Sequence, residues 1–248
     1  MLGTEQPPLA DWPGELHRRP KKSSVTYPTR VHLAHWLEAE AARAAADYGR
    51  FRVLDIGCGK KPYYPYFAEH AAEYVGVDID IDNPYADVLG PIEDLPVADG
   101  SFDVVLCTQV LEHALDPALA VSELSRVVAP GGRVLASTHG VQVYHPSPKE
   151  DLWRWTHAGL ERLFTEHGTW DAVTVRPGSG TTACVGMVLS IYVDLLVRKR
   201  LKGGWASSRL VAGINRAAAS LDRRSPELRE PRPGALFANL HVVAEAPS

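Results

Sequence analysis

The chain has 248 residues, of which 45% are hydrophobic and 23% charged, with a formal net charge of −4 and a pI near 6.2. That is ordinary globular composition with enough length for a sizeable core. It offers no global basic field of the kind that draws a protein to nucleic acid. Three widely spaced cysteines, Cys58, Cys107 and Cys184, form no C-x-x-C pair or disulfide framework, which suits a reducing cytoplasm.

In chain order, residues 1–28 carry five prolines and many charges and read as a loose arm or a lid, not as a secretory signal. "RVHLAHWLEAEAARAAADYG" reads as the first helix, stopped by Gly49. "RFRVLDIG" is a short apolar run that ends in Asp-x-Gly, a buried strand. "AEYVGVDID" and "SFDVVLCT" are further strands, the latter entered through the turn "ADGS". "DPALAVSELSRVVAPGG" reads as a helix with Asp116 as N-cap, Pro117 at the first position and "PGG" as its end. "RVLASTH" is a strand, "HAGLERLFTEHG" a helix capped by Thr156, and "WDAVTVRP" another strand.

Strands alternating with helices predict a parallel sheet covered on both faces. After Pro177 the rhythm changes. Two helical segments, about 181–201 and 206–221, and a Pro/Arg-rich stretch precede a last strand, "LFANLHVVAEA". Residues 177–234 therefore read as a helical insertion before the last strand of one domain that spans 29–248. From Pro177 to Val193 no residue is charged, but Asp194 follows, and a spanning helix needs about 20 apolar residues. A buried or partner-facing helix is the favoured reading, and peripheral contact with a membrane surface the less favoured one. Residues 198–232 hold ten Lys/Arg against three Asp/Glu, which suits a solvated face, a subunit contact in a homodimer, or a patch for anionic headgroups.

Gly57 and Gly59 after the first strand allow a turn whose backbone amides face a ligand. Asp55 and Asp78 fall at the ends of the first two strands, 23 residues apart. A carboxylate at Asp78 can accept both hydroxyls of a ribose. The third glycine of a dinucleotide loop is missing, and Lys61-Pro62 stands in its place. This argues against NAD and for an adenosyl ligand that carries an amino-acid moiety. Lys60 and Lys61 read as a solvated edge, and Tyr63, Tyr64 and Tyr66 as helix packing.

"VLDIGCG", "YVGVDID", "IEDLPVADGSFDVVLCTQVLEH" and "ELSRVVAPGGRVLAST" together resemble class I S-adenosylmethionine-dependent methyltransferases of the methyltransferase-11 type, over about residues 50–176. "YHPSPKEDLWRWTHAGLERLF" resembles a subset of that family from bacterial glycan and secondary-metabolite settings. The resemblance implies a Rossmann-like, mostly parallel seven-stranded sheet with helices on both faces and an antiparallel last strand. It implies transfer of a methyl group from the sulfonium of S-adenosyl-L-methionine. It gives Asp55 and the Gly57–Cys58–Gly59 backbone to the methionine end of the cofactor, Asp78 to the ribose, and Ile79, Ile92 and Glu93 to the adenine. Thr108 and Gln109 then approach the methionine part. Pro91 departs from the family, which often has Asp there.

On the acceptor side, His139 after the fifth strand and His145 beyond it are candidate bases, ahead of His113 and His157. Tyr144, Trp153 and Arg154 could wall a substrate pocket, with Arg154 on an anionic group. The opposing reading packs Trp153 and Trp155 against the next helix and pairs Arg154 with an acid. No metal is expected. The acceptor is expected to be a small molecule, a sugar or natural product methylated on oxygen or nitrogen. The alternatives are a membrane-associated glycan lipid, a macromolecule, or a non-catalytic adenosyl-ligand-binding partner protein.

Overall fold

The computed structural model describes residues 7–144, 150–200 and 204–248, with the side chains of all of these but 198–200. Seven strands form one sheet: β1 (Phe51–Ile56), β2 (Ala71–Asp78), β3 (Val88–Leu89), β4 (Phe102–Thr108), β5 (Val128–His139), β6 (Ala172–Pro177) and β7 (Asn239–Glu245). Their order is β3-β2-β1-β4-β5-β7-β6. β1 runs parallel to β2 and β4, and β4 parallel to β5, whereas β7 is antiparallel to both β5 and β6. The helices are α1 (Glu15–Arg18), α2 (Tyr27–Tyr48), α3 (Tyr64–Phe67), α4 (Pro117–Val127), α5 (His157–His167), α6 (Thr181–Arg200) and α7 (Gly204–Arg224).

The sheet is apolar on both faces because successive strand residues point to opposite sides. Val53, Val104, Leu106 and Leu135 join one core with Leu33, Leu37 and Ala41 of α2 and Phe67 of α3. Leu54, Val105, Cys107 and Val134 join the other with Val121 and Leu124 of α4 and Leu160 and Phe164 of α5. The architecture is the mostly parallel, Rossmann-like sheet with helices on both faces that the sequence predicts.

The caps follow the sequence. Asp116 accepts from the amides of Ala118 and Leu119, and Thr156 Oγ1 from the amide of Gly159. Gly49 ends α2 at φ 71°, its amide on the carbonyl of Ala45. Two features differ from expectation. "PGG" is not the end of α4 but part of β5, where the register shift between the Phe102–Val128 and Val104–Arg133 pairs leaves three extra residues on β5, in the stretch that holds Pro130, Gly131 and Gly132. β3 is only two residues long and carries no periodicity to find it by.

The arm also differs. Among the described residues 7–28 it is docked rather than loose. Trp12 is 3% exposed, its indole donates to the Lys61 carbonyl at 2.8 Å, and its ring lies 4.4 Å from that of Tyr64. Arg18 donates to the carbonyls of Trp12, Pro13 and Pro62.

Candidate active site

The loop after β1 gathers the amides. Gly57 and Gly59 sit at φ 61° and 50°, in the region that favours glycine. A Cβ on Gly57 would lie 2.4 Å from Val110 Cγ2. The Gly59 amide donates to Asp78 Oδ2 at 2.9 Å, and the Cys58 amide to the Val77 carbonyl at 3.0 Å. Cys58 itself is buried, and burial pushes its thiol up to about 12.

Lys61 corrects the expectation of a solvated lysine edge. Lys60 is exposed, but Lys61 is 4% exposed and its ammonium donates to Asp87 Oδ2 at 2.5 Å. The same carboxylate oxygen takes the Gly76 amide at 2.7 Å. The lysine therefore runs beneath the loop and ties it to β2 and to the segment before β3. A long side chain can turn either way at a surface, and only the position of Asp87 in space decides which.

Asp55 and Asp78 come together as the strand order requires. Asp55 is 3% exposed and accepts from the Tyr74 hydroxyl at 2.8 Å. Burial raises its carboxyl to about 7, against the opposing pull of that hydroxyl and of the Lys61 charge. Asp78 is 5% exposed. Its Oδ2 also accepts from Asn83 Nδ2 at 3.1 Å, and its Oδ1 from the Asp80 amide at 3.1 Å. It thus braces the glycine loop and the β2–β3 connection from one carboxylate.

Next to this pair lies a slot of about 90 Å³ lined by Ile79, Gly90, Ile92, Glu93, Val110 and Leu115 among others. Ile79 is 57% exposed and Ile92 is 7% exposed. Glu93 accepts at Oε1 from the amides of Leu115 (2.7 Å) and Asp116 (3.4 Å), so part of its carboxylate holds the turn into α4. Larger cavities lie elsewhere. One of about 690 Å³, lined by Gly100, Arg126, Pro130 and Gly168, opens at the opposite, amino-terminal edge of the parallel strands.

Thr108 ends β4 and is half-buried. Gln109 follows at φ 59°, its side-chain Nε2 donating to Ser137 Oγ on β5 at 3.0 Å. His139 ends β5 and is 5% exposed. Its Nε2 lies 3.4 Å from Glu112 Oε1, and Thr138 Oγ1 donates to Glu112 Oε2 at 2.8 Å. Glu112 is 0% exposed, and burial raises its carboxyl to about 7, opposed by its hydrogen bonds and by Arg154. Sequence reasoning passed over Glu112 and named only the His113 beside it. His113 Nδ1 is 2.6 Å from the Glu150 carbonyl, and His157 Nε2 is 2.9 Å from the Val175 carbonyl.

Of the pocket-wall candidates, Tyr144 is 75% exposed, and Trp153 stacks on Trp155 at 5.6 Å while its indole donates to the Ala114 carbonyl at 2.8 Å. Arg154 forms two 2.6 Å bonds to Asp151, a bidentate pair within the chain. His145 lies outside the described residues. Among the described residues no group of three or more His, Cys, Asp or Glu is placed to hold a metal ion.

These residues fit an adenosyl ligand. Nothing within 4 Å would meet a Cβ on Gly59, so the loop backbone is open to close approach. A buried carboxylate stands beside it at Asp78, and an apolar slot follows.

The methyltransferase-11 family model, a methyltransferase domain, matches residues 54–136. A ubiquinone biosynthesis O-methyltransferase of Psychrobacter cryohalolentis is 31% identical over 136 residues, covering 48% of this chain and 51% of that protein. A probable S-adenosylmethionine-dependent methyltransferase of Mycolicibacterium smegmatis is 37% identical over 103 residues, 38% of this chain and 40% of that one. The chain thus spans about half the length, or less, of these curated relatives. A solved structure, Haemonchus contortus phosphoethanolamine N-methyltransferase 2 with S-adenosyl-L-methionine, is similar with a TM-score of 0.52 at 14% identity. That likeness covers 95% of this chain and 60% of that one, and it speaks to the fold. These matches make residues 54–136 a methyltransferase domain of the methyltransferase-11 type, and the sheet order around them is a fold shared with solved methyltransferase structures.

Proposed function

We propose that the chain transfers a methyl group from S-adenosyl-L-methionine to an oxygen or nitrogen of a small-molecule acceptor, a sugar or natural product, in the cytoplasm. The observation that carries this reading is the meeting, at one sheet edge, of the Gly57–Gly59 turn, open at Gly59, the Asp55 and Asp78 carboxylates and the Ile79–Ile92 slot. Bound there, S-adenosylmethionine supplies an activated methyl group for in-line displacement, so positioning provides much of the rate.

The chain's own residues divide the work. Asp55 and the Gly57–Cys58–Gly59 backbone hold the amino-acid end, with the Cys58 and Gly59 amides themselves spent on the Val77 carbonyl and Asp78 Oδ2. Asp78 takes the ribose diol, in competition with Asn83 and the Asp80 amide. Ile79, Ile92 and Glu93 border the base, and Thr108 and Gln109 border the methionine side. His139, held by Glu112, is the base or orienting group for an acceptor hydroxyl. His145, Tyr144 and Trp153 belong to the acceptor side in this reading. Arg154 reaches an anionic acceptor group only if it exchanges Asp151 for it.

Isothermal titration with S-adenosylmethionine and with its demethylated product tests the reading. Micromolar binding is expected. Hydrogen bonds to a charged group contribute roughly 1.5–3 kcal/mol, so Asp78→Ala is expected to weaken binding about tenfold to a hundredfold. Response to NAD with none to either adenosyl ligand would overturn the cofactor assignment. A folded Asp78→Ala protein with unchanged affinity would place the ribose elsewhere.

A further inference from the structure

α6 is apolar on both of its sides. Its inward residues Ala183, Cys184, Met187 and Ser190 are buried, with Met187 Sδ 3.5 Å from Thr29 Oγ1 of α2. Its outward residues are apolar as well. Val185 is 50% exposed, Leu189 50%, Tyr192 59% and Leu196 58%. Steps of four, three and four residues put these side chains on one line along the helix. Among the described residues no helix is long and apolar enough to cross a membrane, so this outer line is not the side of a spanning segment.

The neighbouring helix adds aromatic and cationic groups. α7 packs on α6. It opens with Trp205, 69% exposed, and the Arg209 guanidinium lies 4.3 Å from the indole centroid. Arg209, Arg216 and Arg223 recur at seven-residue steps and are exposed, while the acid of α7, Asp222, is buried and accepts the Thr182 and Ala183 amides at the start of α6. The chain as a whole is acidic at −4, yet residues 198–232 hold ten Lys/Arg against three Asp/Glu.

We propose that the α6–α7 pair docks this protein on an anionic lipid surface, with the Val185–Leu196 line and Trp205 entering the headgroup boundary and the α7 arginines on lipid phosphates. Charge complementarity selects this occupant. A second copy of the chain would bring its own arginine row against this one, whereas an anionic leaflet neutralises the row and accepts aliphatic and indole groups. Trp205 with Arg209 has the composition of an interfacial anchor, an apolar ring next to a cation. Asp194 on α6 is half-buried and is the one acid of that helix, so it does little to offset the row. This goes beyond methyl transfer and does not depend on it.

Co-sedimentation of the full chain with sucrose-loaded vesicles tests it. Binding is expected to phosphatidylglycerol–phosphatidylcholine vesicles, to be at least tenfold weaker to pure phosphatidylcholine, and to fall as salt is raised. The Leu189→Glu/Tyr192→Glu pair is expected to lower vesicle binding at least tenfold, with circular dichroism and S-adenosylmethionine titration unchanged. Arg209→Glu/Arg216→Glu is expected to abolish the preference for anionic lipid. No binding to anionic vesicles, or equal binding by the Leu189→Glu/Tyr192→Glu protein, would overturn the proposal. So would a concentration-dependent dimer in sedimentation velocity that those two substitutions dissolve, which would give the face to a second copy. Because cofactor titration is read separately, loss of methyl transfer and loss of docking are distinguishable.

Discussion

Glu112 Oε1 lies 3.4 Å from His139 Nε2, and the two side chains are 0% and 6% exposed. A carboxylate from the turn after β4 thus meets an imidazole at the end of β5, and Thr138 fixes the other carboxylate oxygen. Such an arrangement sets a buried carboxylate beside one ring nitrogen of the imidazole.

On the reading that His139 serves the acceptor, Glu112 is a positioning residue. Glu112→Gln keeps the volume and an acceptor for Thr138 but turns a donor toward the ring. Turnover is expected to fall about tenfold to a hundredfold, below the roughly 10²–10⁴-fold that a general base supplies, with cofactor affinity within about twofold. The rate profile of the natural protein is expected to show an inflection near pH 7, where burial has moved Glu112, and the variant to lose it. Steady-state kinetics against pH reads both. An unchanged profile in a folded variant would return Glu112 and His139 to a structural role.

The meeting of Asp55, Gly57, Gly59 and Asp78 at the carboxyl ends of the strands was legible in the sequence because its signal is local. A buried strand, Asp-x-Gly-x-Gly and an acid at the next strand end follow from chain order and from the rule that ligands sit at the carboxyl ends of parallel strands. Lys61, Glu112 and Trp12 were not legible. Each acts through a partner far along the chain: Asp87 across 26 residues, Thr138 across 26, and the Lys61 carbonyl across 49. Nothing in a lysine after a glycine loop, or in a Glu-His dipeptide, says on which side of the sheet its partner lies. The missing third glycine is accounted for in the same terms. The loop is supported from below by Lys61 and from the side by Trp12, contacts that a glycine pattern does not encode.

Asp55 carries a stability prediction with a definite sign. Its carboxyl is raised from 3.8 to about 7 in the fold, first by burial. Between those values the native protein holds a proton that the unfolded chain releases. The contribution is complete below the unfolded value and is lost as pH rises through about 7. Asp55→Asn has no such proton. Its melting temperature relative to the natural protein is expected to rise from about pH 5 to about pH 8, by an amount equivalent to roughly 2–4 kcal/mol. The comparison cancels Glu112, which shifts with the same sign. Parallel melting curves across that range would show that Asp55 is ionised in the fold, held so by Lys61.

Trp12 closes the loop from the N-terminal side, and its removal tests whether the arm matters to the cofactor or only to packing. The indole is 3% exposed, donates to the Lys61 carbonyl, and lies against Tyr64. Trp12→Ala deletes a buried aromatic, a change that typically costs about 3–5 kcal/mol, and the protein could unfold for that reason alone. Trp12→Phe is the sharper probe. It keeps most of the apolar volume and loses one hydrogen bond, about 0.5–1.5 kcal/mol, leaving the Lys61 carbonyl without its donor. A loop that is less well held must be ordered at the moment of binding, and that ordering weakens affinity. S-adenosylmethionine affinity of Trp12→Phe is therefore expected to fall about threefold to tenfold, while Arg18→Gln, which frees the Pro62 carbonyl from the same arm, moves it in the same direction. Titration calorimetry at a temperature where both variants are folded gives the reading. Unchanged affinity in both would mean that the glycine loop is rigid without the arm, and residues 7–28 would then contribute stability and no part of the binding site.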